Sequence, residues 1–337
     1  MDVRVASVTL TFAEAMPTAW GTLKARELLL LRIRDSDGVV GWGEAGALEP
    51  YDGVSTEQVR AALEAYEPIL RDGDDATGSE ILARCRVVDG LPQALAAVDL
   101  ALWDRAGNRE GHPVADLLSD NPSGSVRVNA TIAATDRAQA ASQAARAVGE
   151  GYSCVKVKVG IGDDAGRVAA VRAAIGNDTE LRLDANGAWG VDEAVRSIEA
   201  LAPAGLELVE EPVHGVEQIR AVRDRVAVRV AMDETAGQPG SLTAKVADAV
   251  CLKVSRCGGI SGLLAQAALV RATGADVYVS STFDGPIGIA AAIHCAAALK
   301  PDGACGLGTL GLFADELTVL PVHEGAIEVP DSPGLGV

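Results

Sequence analysis

Apolar and polar positions divide the chain into two differently patterned stretches. Up to about residue 50 they alternate. "DVRVASVTLTF" puts its apolar residues on one face of a strand, and "ELLLLRIRDSDGVVGWGEA" reads as strand, turn, strand around an Asp-Gly signal. Residues 56–119 switch period: "TEQVRAALEAYEPIL", "GSEILARCRVV" and "PQALAAVDLALWDRAGNREG" repeat apolar residues at helical spacing. Strands followed by a run of helices predict an α+β unit over residues 1–122.

Beyond residue 126 short apolar strands alternate with Ala-rich helical patterns such as "DDAGRVAAVRAAIG" and "VDEAVRSIEALA". The strands are "VRVNATI", "CVKVKVG", "LRLDANG", "LELVEEP", "VRVAMDE", "AVCLKVSR", "DVYVSST" and "ACGLGT". Eight parallel βα units predict an α/β fold, a closed (β/α)8 TIM-type barrel over residues 123–310 carrying the first unit as a cap. Residues 311–337 are expected to pack back on that cap. An open doubly wound sheet is the competing architecture, but the glycine fingerprint of a dinucleotide fold is absent after the first strand.

Composition narrows the function classes. Aromatic residues make up 3% of the chain, so Ala, Val and Leu must fill the core. A formal net charge of -18 argues against nucleic acid, whose phosphates call for a basic face. The N-terminus lacks the basic and long apolar regions of a signal peptide, and no apolar run reaches the ~18 residues of a membrane helix. A cytoplasmic protein acting on a small molecule is expected, with homo-oligomerisation left open. None of the six cysteines forms a Cys-x-x-Cys pair, which reads as small, reduced, buried side chains.

The candidate chemistry lies at the strand ends, where barrels of this type carry their active sites. Three consecutive strands end in acid: Asp184, then Glu210 with Glu211, then Asp233 with Glu234. Carboxylates converging on one point need a cation. Hard oxygen ligands in this number suit Mg²⁺, with Mn²⁺ as a second hard cation; zinc would want His or Cys, and neither stands at these strand ends. Two strands also present lysines. Lys156 and Lys158 alternate with valines in "CVKVKV" and so share one face, and Lys253 ends "CLK". A neighbouring ammonium and a nearby divalent cation both disfavour a protonated lysine, so Lys156 would help make Lys158 a base able to take a proton α to a carboxylate.

This constellation resembles the enolase superfamily, specifically its muconate lactonizing enzyme subgroup. "KVK", "LDAN", "EEP", "MDE" and "LKVSRCGG" match its motifs in order, and "GWGEA" matches its capping domain. The resemblance implies Asp184, Glu210 and Asp233 as metal ligands, Lys158 as base, Lys156 as supporting charge, and Lys253 as the group on the opposite face. Asn186 and Glu234 would stand behind them. No His–Asp pair replaces the sixth-strand lysine, which sets aside the mandelate racemase subgroup; His112, His214, His294 and His323 read as structural.

Within the subgroup, "VSSTFDGPIGIAAAIHCAAAL", "ACGLGTLGLFADEL" and "VNATI" look like actinobacterial o-succinylbenzoate synthases, lyases of menaquinone biosynthesis. Syn-dehydration to o-succinylbenzoate is therefore the first expectation. A muconate-type cycloisomerase and an N-succinylamino acid racemase or epimerase are the alternatives, and a catalytically idle carboxylate-binding relative is the alternative of another class. Dipeptide epimerases commonly hold the substrate ammonium with Asp-x-Asp on the eighth strand, where this chain has Gly306 and Gly308. Arg26, Ser280, Ser281 and Gly285 are the candidate substrate-binding residues, the last through helix N-terminal amides.

Overall fold

The computed structural model describes residues 1–18, 21–315, 317 and 319–337; Trp20, which precedes Arg26 in the sequence, lies outside them. The cap opens with an antiparallel sheet in the order β1 (Asp2–Thr18), β2 (Gly21–Arg34), β3 (Val40–Ala45). Leu29, Leu31 and Ile33 alternate inward along β2 and are fully buried. The Asp-Gly turn forms as expected: Asp35 accepts from Val39 N–H, and Gly38 takes φ +86. Pairing between β1 and β2 runs out to Thr18, past an irregularity between Thr11 and Met16, so β1 is longer than its alternating stretch predicts.

Helices α1 (Glu49–Asp52), α2 (Thr56–Arg71), α3 (Gly78–Val88), α4 (Pro92–Glu110) and α5 (Val114–Leu118) follow. Capping boxes Ser55/Gln58 and Thr77/Glu80 start α2 and α3, and Pro92 opens α4. The "GWG" of β3 has a steric cause. A Cβ at Gly41 or Gly43 would run into the Ala101 or Ala97 carbonyl of α4, so the sheet lies directly on that helix.

The expected first barrel strand is split. β4 (Ser125–Arg127) pairs antiparallel with β12 (Ala326–Glu328), outside the barrel, and β5 (Ala130–Ile132) begins the barrel. Then come β6 (Cys154–Lys158), β7 (Glu180–Asp184), β8 (Leu208–Glu210), β9 (Arg229–Met232), β10 (Ala249–Lys253) and β11 (Asp276–Ser280). β5 to β11 form one parallel sheet in chain order. The eighth position is reduced to two bridges, Cys305 to Val128 and Gly306 to Ser280, which join the sheet's two edges. That closure excludes an open doubly wound sheet.

The outer layer comprises α6 (Arg137–Gly149), α7 (Asp164–Ile175), α8 (Val191–Leu201), α9 (Val216–Arg223), the single turn α10 (Val254–Cys257), α11 (Ile260–Arg271) and α12 (Pro286–Leu299). Between β9 and β10 the crossover is made by 3₁₀ turns at 234–237 and 241–243 instead of an α-helix. No helix among the described residues is long and apolar enough to cross a membrane.

Side chains and backbone groups tie the layers together at the cap–barrel seam. Asp99 of α4 accepts from Ser261 N–H at 2.9 Å and its Oγ at 2.6 Å, at the start of α11. Near the C-terminus, Phe313 stacks on Phe12 and Leu335 N–H donates to Asp104. His294 of α12 accepts from Ala115 N–H through Nδ1, and its Nε2 faces the Leu335 carbonyl. Burial pushes this imidazole down to about 4, so it stays neutral.

Candidate active site

Strand alternation assembles the site. In β6, Val155 and Val157 point outward and are fully buried under the helices, while Lys156 and Lys158 point into the barrel mouth. The register sets Lys158 beside Asp184 of β7 and Asp184 beside Glu210 of β8. Asp233 follows β9, and Lys253 ends β10. Asp184, Glu210, Asp233 and Lys253 are all buried.

The structure brings all six of these side chains together. Lys156 Nζ is 2.8 Å from Asp184 Oδ2 and 2.8 Å from both Glu210 oxygens. Lys158 Nζ is 2.6 Å from the same Asp184 oxygen and 2.6 Å from Asn186 Oδ1. Lys253 Nζ is 2.5 and 2.6 Å from the two Asp233 oxygens. The sheet order places β6 and β10 four positions apart in an eight-position ring, so Lys158 and Lys253 face each other across the carboxylates.

Two opposing causes set the charge of Lys156, which stays a cation. Burial alone would lower it, but Asp184 and Glu210 outweigh burial and hold it above the ordinary lysine range. The same contest, won by Asp233, raises Lys253. For Asp184, burial opposes ionisation, and Lys156 and Lys158 override it. Glu210 is raised, chiefly by burial. Burial and Asp233 push Glu234 up to about 8; its Oε1 accepts from Asn186, and its Oε2 is buried without a partner.

Glu210 and Glu211 divide sharply in role. Glu211 accepts from Asp233 N–H, Thr235 N–H and Thr235 Oγ1, and His214 Nδ1 stands 3.0 Å away. Both its oxygens are thus used in shaping the turn after β9. Glu210 is the carboxylate that faces the interior. Glu211 (φ 40) and Asn186 (φ 44) sit in the left-handed region, local strain of the kind that collects at functional sites.

The carboxylate set fits a hard divalent cation. Asp184, Glu210 and Asp233 supply only oxygens, from three adjacent strand ends, and all are almost wholly removed from water.

Several groups near this centre escape sequence reasoning. Tyr51, on α1 of the cap, accepts from Lys253 Nζ at 2.5 Å and from Arg256 Nη1 at 2.9 Å, and its OH is 2.9 Å from Asp233 Oδ1. Both cations also lie over its ring. Tyr278 of β11 donates to Glu210 Oε2 at 2.8 Å. Cys251 lies two residues before Lys253 on the same inner face; period-two alternation was the signal that would have found it.

The candidate substrate-side residues are more scattered. Ser280 Oγ contacts the Gly306 carbonyl at 3.3 Å, and Ser281 Oγ meets Thr309 Oγ1 at 3.0 Å, both at the barrel mouth. Gly285 N–H is not free for a carboxylate: it donates to buried Glu44 at 2.7 Å. Arg26 is buried in the cap–barrel seam, donating to the Ala47 and Phe283 carbonyls. Burial and the nearby Asp284 push Glu44 up to about 7.

Comparison with known proteins agrees with this architecture. Residues 139–337 match the family model described as enolase C-terminal domain-like. Residues 1–119 match the N-terminal domain of mandelate racemase / muconate lactonizing enzyme. The chain is 31% identical over 354 residues to a hydrophobic dipeptide epimerase of Enterococcus faecalis, covering 100% of this chain and 98% of that one. It is 31% identical over 362 residues to muconate cycloisomerase 1 of Rhodococcus opacus, covering 100% and 96%. A crystal structure of the dipeptide epimerase from Enterococcus faecalis V583, complexed with Mg and L-Leu-L-Tyr, superposes with a TM-score of 0.91 at 27% identity, covering 99% of this chain and 98% of that one. These relatives are isomerases, and they lend no support to the o-succinylbenzoate synthase expectation.

Proposed function

Since the chain belongs to the mandelate racemase / muconate lactonizing enzyme family of the enolase superfamily, we propose that it is an isomerase that removes a proton α to a carboxylate and returns one to the opposite face. The observation that carries this reading is the placement of Lys158 and Lys253 across one group of buried carboxylates. Asp184, Glu210 and Asp233 would hold Mg²⁺ or Mn²⁺. When bound, that cation supplies the positive charge that stabilises an enediolate.

The remaining work falls to the chain's own groups. One lysine takes the α proton as the C–H bond breaks and its electron pair passes into the carboxylate. The opposite lysine delivers a proton to the other face of the same carbon. Lys156 and Tyr278 hold Glu210 from two sides. Asn186 fixes Lys158 and joins it to Glu234. Tyr51 brings the cap down onto Lys253 and shields that side from water.

The eighth strand favours a substrate without a free ammonium. A Cβ at Gly306 would collide with Ser280 Oγ, and one at Gly308 would press on Val322. No acid stands at either position to pair with an amine, so N-acylated amino acids are the preferred substrate class. The likeness to a muconate cycloisomerase supports a second reading, ring closure of an unsaturated diacid, which also lacks an amine.

The test is α-proton exchange in deuterated water with Mg²⁺, followed by NMR, on N-succinyl amino acids, dipeptides and muconate. Absorbance of the cyclohexadiene precursor of o-succinylbenzoate is followed in parallel. Exchange and racemisation of the N-succinyl compounds, stopped reversibly by a chelator, is the expected result. Faster exchange of dipeptides breaks the eighth-strand reasoning. Loss of the diene absorbance moves the protein to the lyases. No exchange or turnover with any of them leaves an idle carboxylate-binding relative.

A further inference from the structure

The inner face of β10 carries a sulfur that the proposed reaction does not use. β10 pairs with β9 through Ala249↔Ala231 and Val250↔Met232. Parallel strands advance together, so Cys251 arrives level with Asp233. Cys251 is 3% exposed. Its Sγ, one oxygen of Glu210 and one of Asp233 all lie within 4.8 Å of one another, and all three residues are buried. Among the described residues the thiol makes no hydrogen bond, so a soft ligand stands unengaged beside two hard ones.

Two other compact sets compare poorly. Cys154, Glu180 and Glu207 also converge, but Arg182 already holds both Glu207 oxygens and Glu180 is partly exposed. Glu211, His214 and Glu234 converge as well, but Glu211 is fully engaged by the turn it shapes.

Thiolate ligands select Zn²⁺ and similarly soft cations, whereas oxygen-only sites suit Mg²⁺. We propose that Glu210, Asp233 and Cys251 form a second coordination mode of this centre, which takes a thiophilic divalent cation, Zn²⁺ or Cd²⁺, in competition with the hard one. As the metal–sulfur bond forms, the thiol loses its proton to solvent and the cation loses a bound water; no electron moves. Lys156 and Tyr278 now occupy Glu210, and Lys253 and Tyr51 occupy Asp233, so the cation must displace the two ammonium groups from those oxygens. The soft mode thus keeps the hard cation off Glu210 and Asp233 and makes the protein sensitive to thiophilic metals. The competition clause rests on the proposed hard-cation site; the soft mode itself needs no turnover.

The experiment is a titration of the metal-stripped full-length protein with Cd²⁺, following the ultraviolet thiolate-to-cadmium charge-transfer band, with calorimetry alongside. A band saturating at one equivalent is expected, moving to higher Cd²⁺ as Mg²⁺ is added. In Cys251→Ser and Cys251→Ala the band is lost, and Cd²⁺ affinity falls by at least about tenfold. Circular dichroism and thermal unfolding show whether each variant keeps its fold. No band in the wild type overturns the proposal. So does a band that survives in a folded Cys251 variant, or one indifferent to Mg²⁺ that calorimetry shows to be bound. Failure of α-proton exchange with Mg²⁺ sinks the proposed reaction and leaves the cadmium band untouched; loss of the band sinks only the soft mode.

Discussion

The two ends of the barrel interior hold buried charge in opposite ways. Toward the N-terminal ends of the strands, Arg182 is 1% exposed. Its Nε and Nη2 donate to the two oxygens of Glu207 at 2.5 and 2.8 Å, and its Nη1 donates to the Ala304 carbonyl at 2.6 Å. Its flat face lies 5.0 Å from the Tyr278 ring centroid. One cation meets one anion in a bidentate fork, and each of these groups is satisfied. At the C-terminal ends three lysines share Asp184, Glu210 and Asp233, Glu234 leaves one buried oxygen without a partner, and two residues hold strained backbone. A buried ion pair is weak evidence of function when its geometry closes on itself. The same charges left crowded and incompletely paired mark a place where a ligand completes the structure.

The sharpest way to break this contrast is to remove a lysine. Lys158→Ala is expected to lower turnover by roughly 10³-fold or more, about 4 kcal/mol of transition-state stabilisation, while changing stability by less than about 1 kcal/mol. Lys156 remains on Asp184 in that variant, so the carboxylate keeps a counter-charge. Proton exchange measured separately on each enantiomer adds resolution. Lys158→Ala and Lys253→Ala should each lose exchange from a different enantiomer. Loss from the same enantiomer in both would show that the two lysines do not address opposite faces.

At the other end the expected effect reverses. Arg182→Met leaves Glu207 without its fork and opens a gap under Tyr278, so it should cost about 3 kcal/mol of stability, read by denaturant unfolding. In the folded fraction Mg²⁺-dependent turnover per molecule should fall far less than in Lys158→Ala. A variant of wild-type stability and abolished turnover would make Arg182 part of the reaction and erase the distinction between the two ends.

How much of this was legible in the sequence follows from range. Alternation along each strand is local, so "CVKVK", "LRLD" and "AVCLK" already show which residues share the inner face, Cys251 included. Strand–helix order is equally local, and it yields the barrel. What the pattern misses depends on distant partners. The first predicted strand divides because its N-terminal part pairs with residues 326–328, and the eighth is reduced to bridges with Val128 and Ser280. Gly285 looks like an amide open to a substrate until Glu44 arrives from the cap. Tyr51 and Arg256 meet across 205 residues, and neither "LEPYDG" nor "KVSR" announces the other. Local patterns in "VSSTFDGPIGIAAAIHCAAAL" and "ACGLGTLGLFADEL" look like a synthase, whereas the relatives above are isomerases.

Tyr278 belongs to both ends, and it yields the smallest and most discriminating effect. Its ring covers Arg182, and its hydroxyl donates to Glu210. Tyr278→Phe keeps the ring and removes one hydrogen bond to a carboxylate, which should cost about 1–2 kcal/mol of stability. If the hydroxyl only fills the interior, Mg²⁺ affinity measured by calorimetry stays at the wild-type value. If it orients Glu210 as a ligand, affinity falls by about tenfold, as for other groups that brace a metal-binding side chain. We expect the second outcome, because Lys156 is the other group holding Glu210 and its four-carbon stem fixes direction poorly. An unchanged affinity in Tyr278→Phe would confine the site to its lysines and carboxylates and make everything beneath them scaffold.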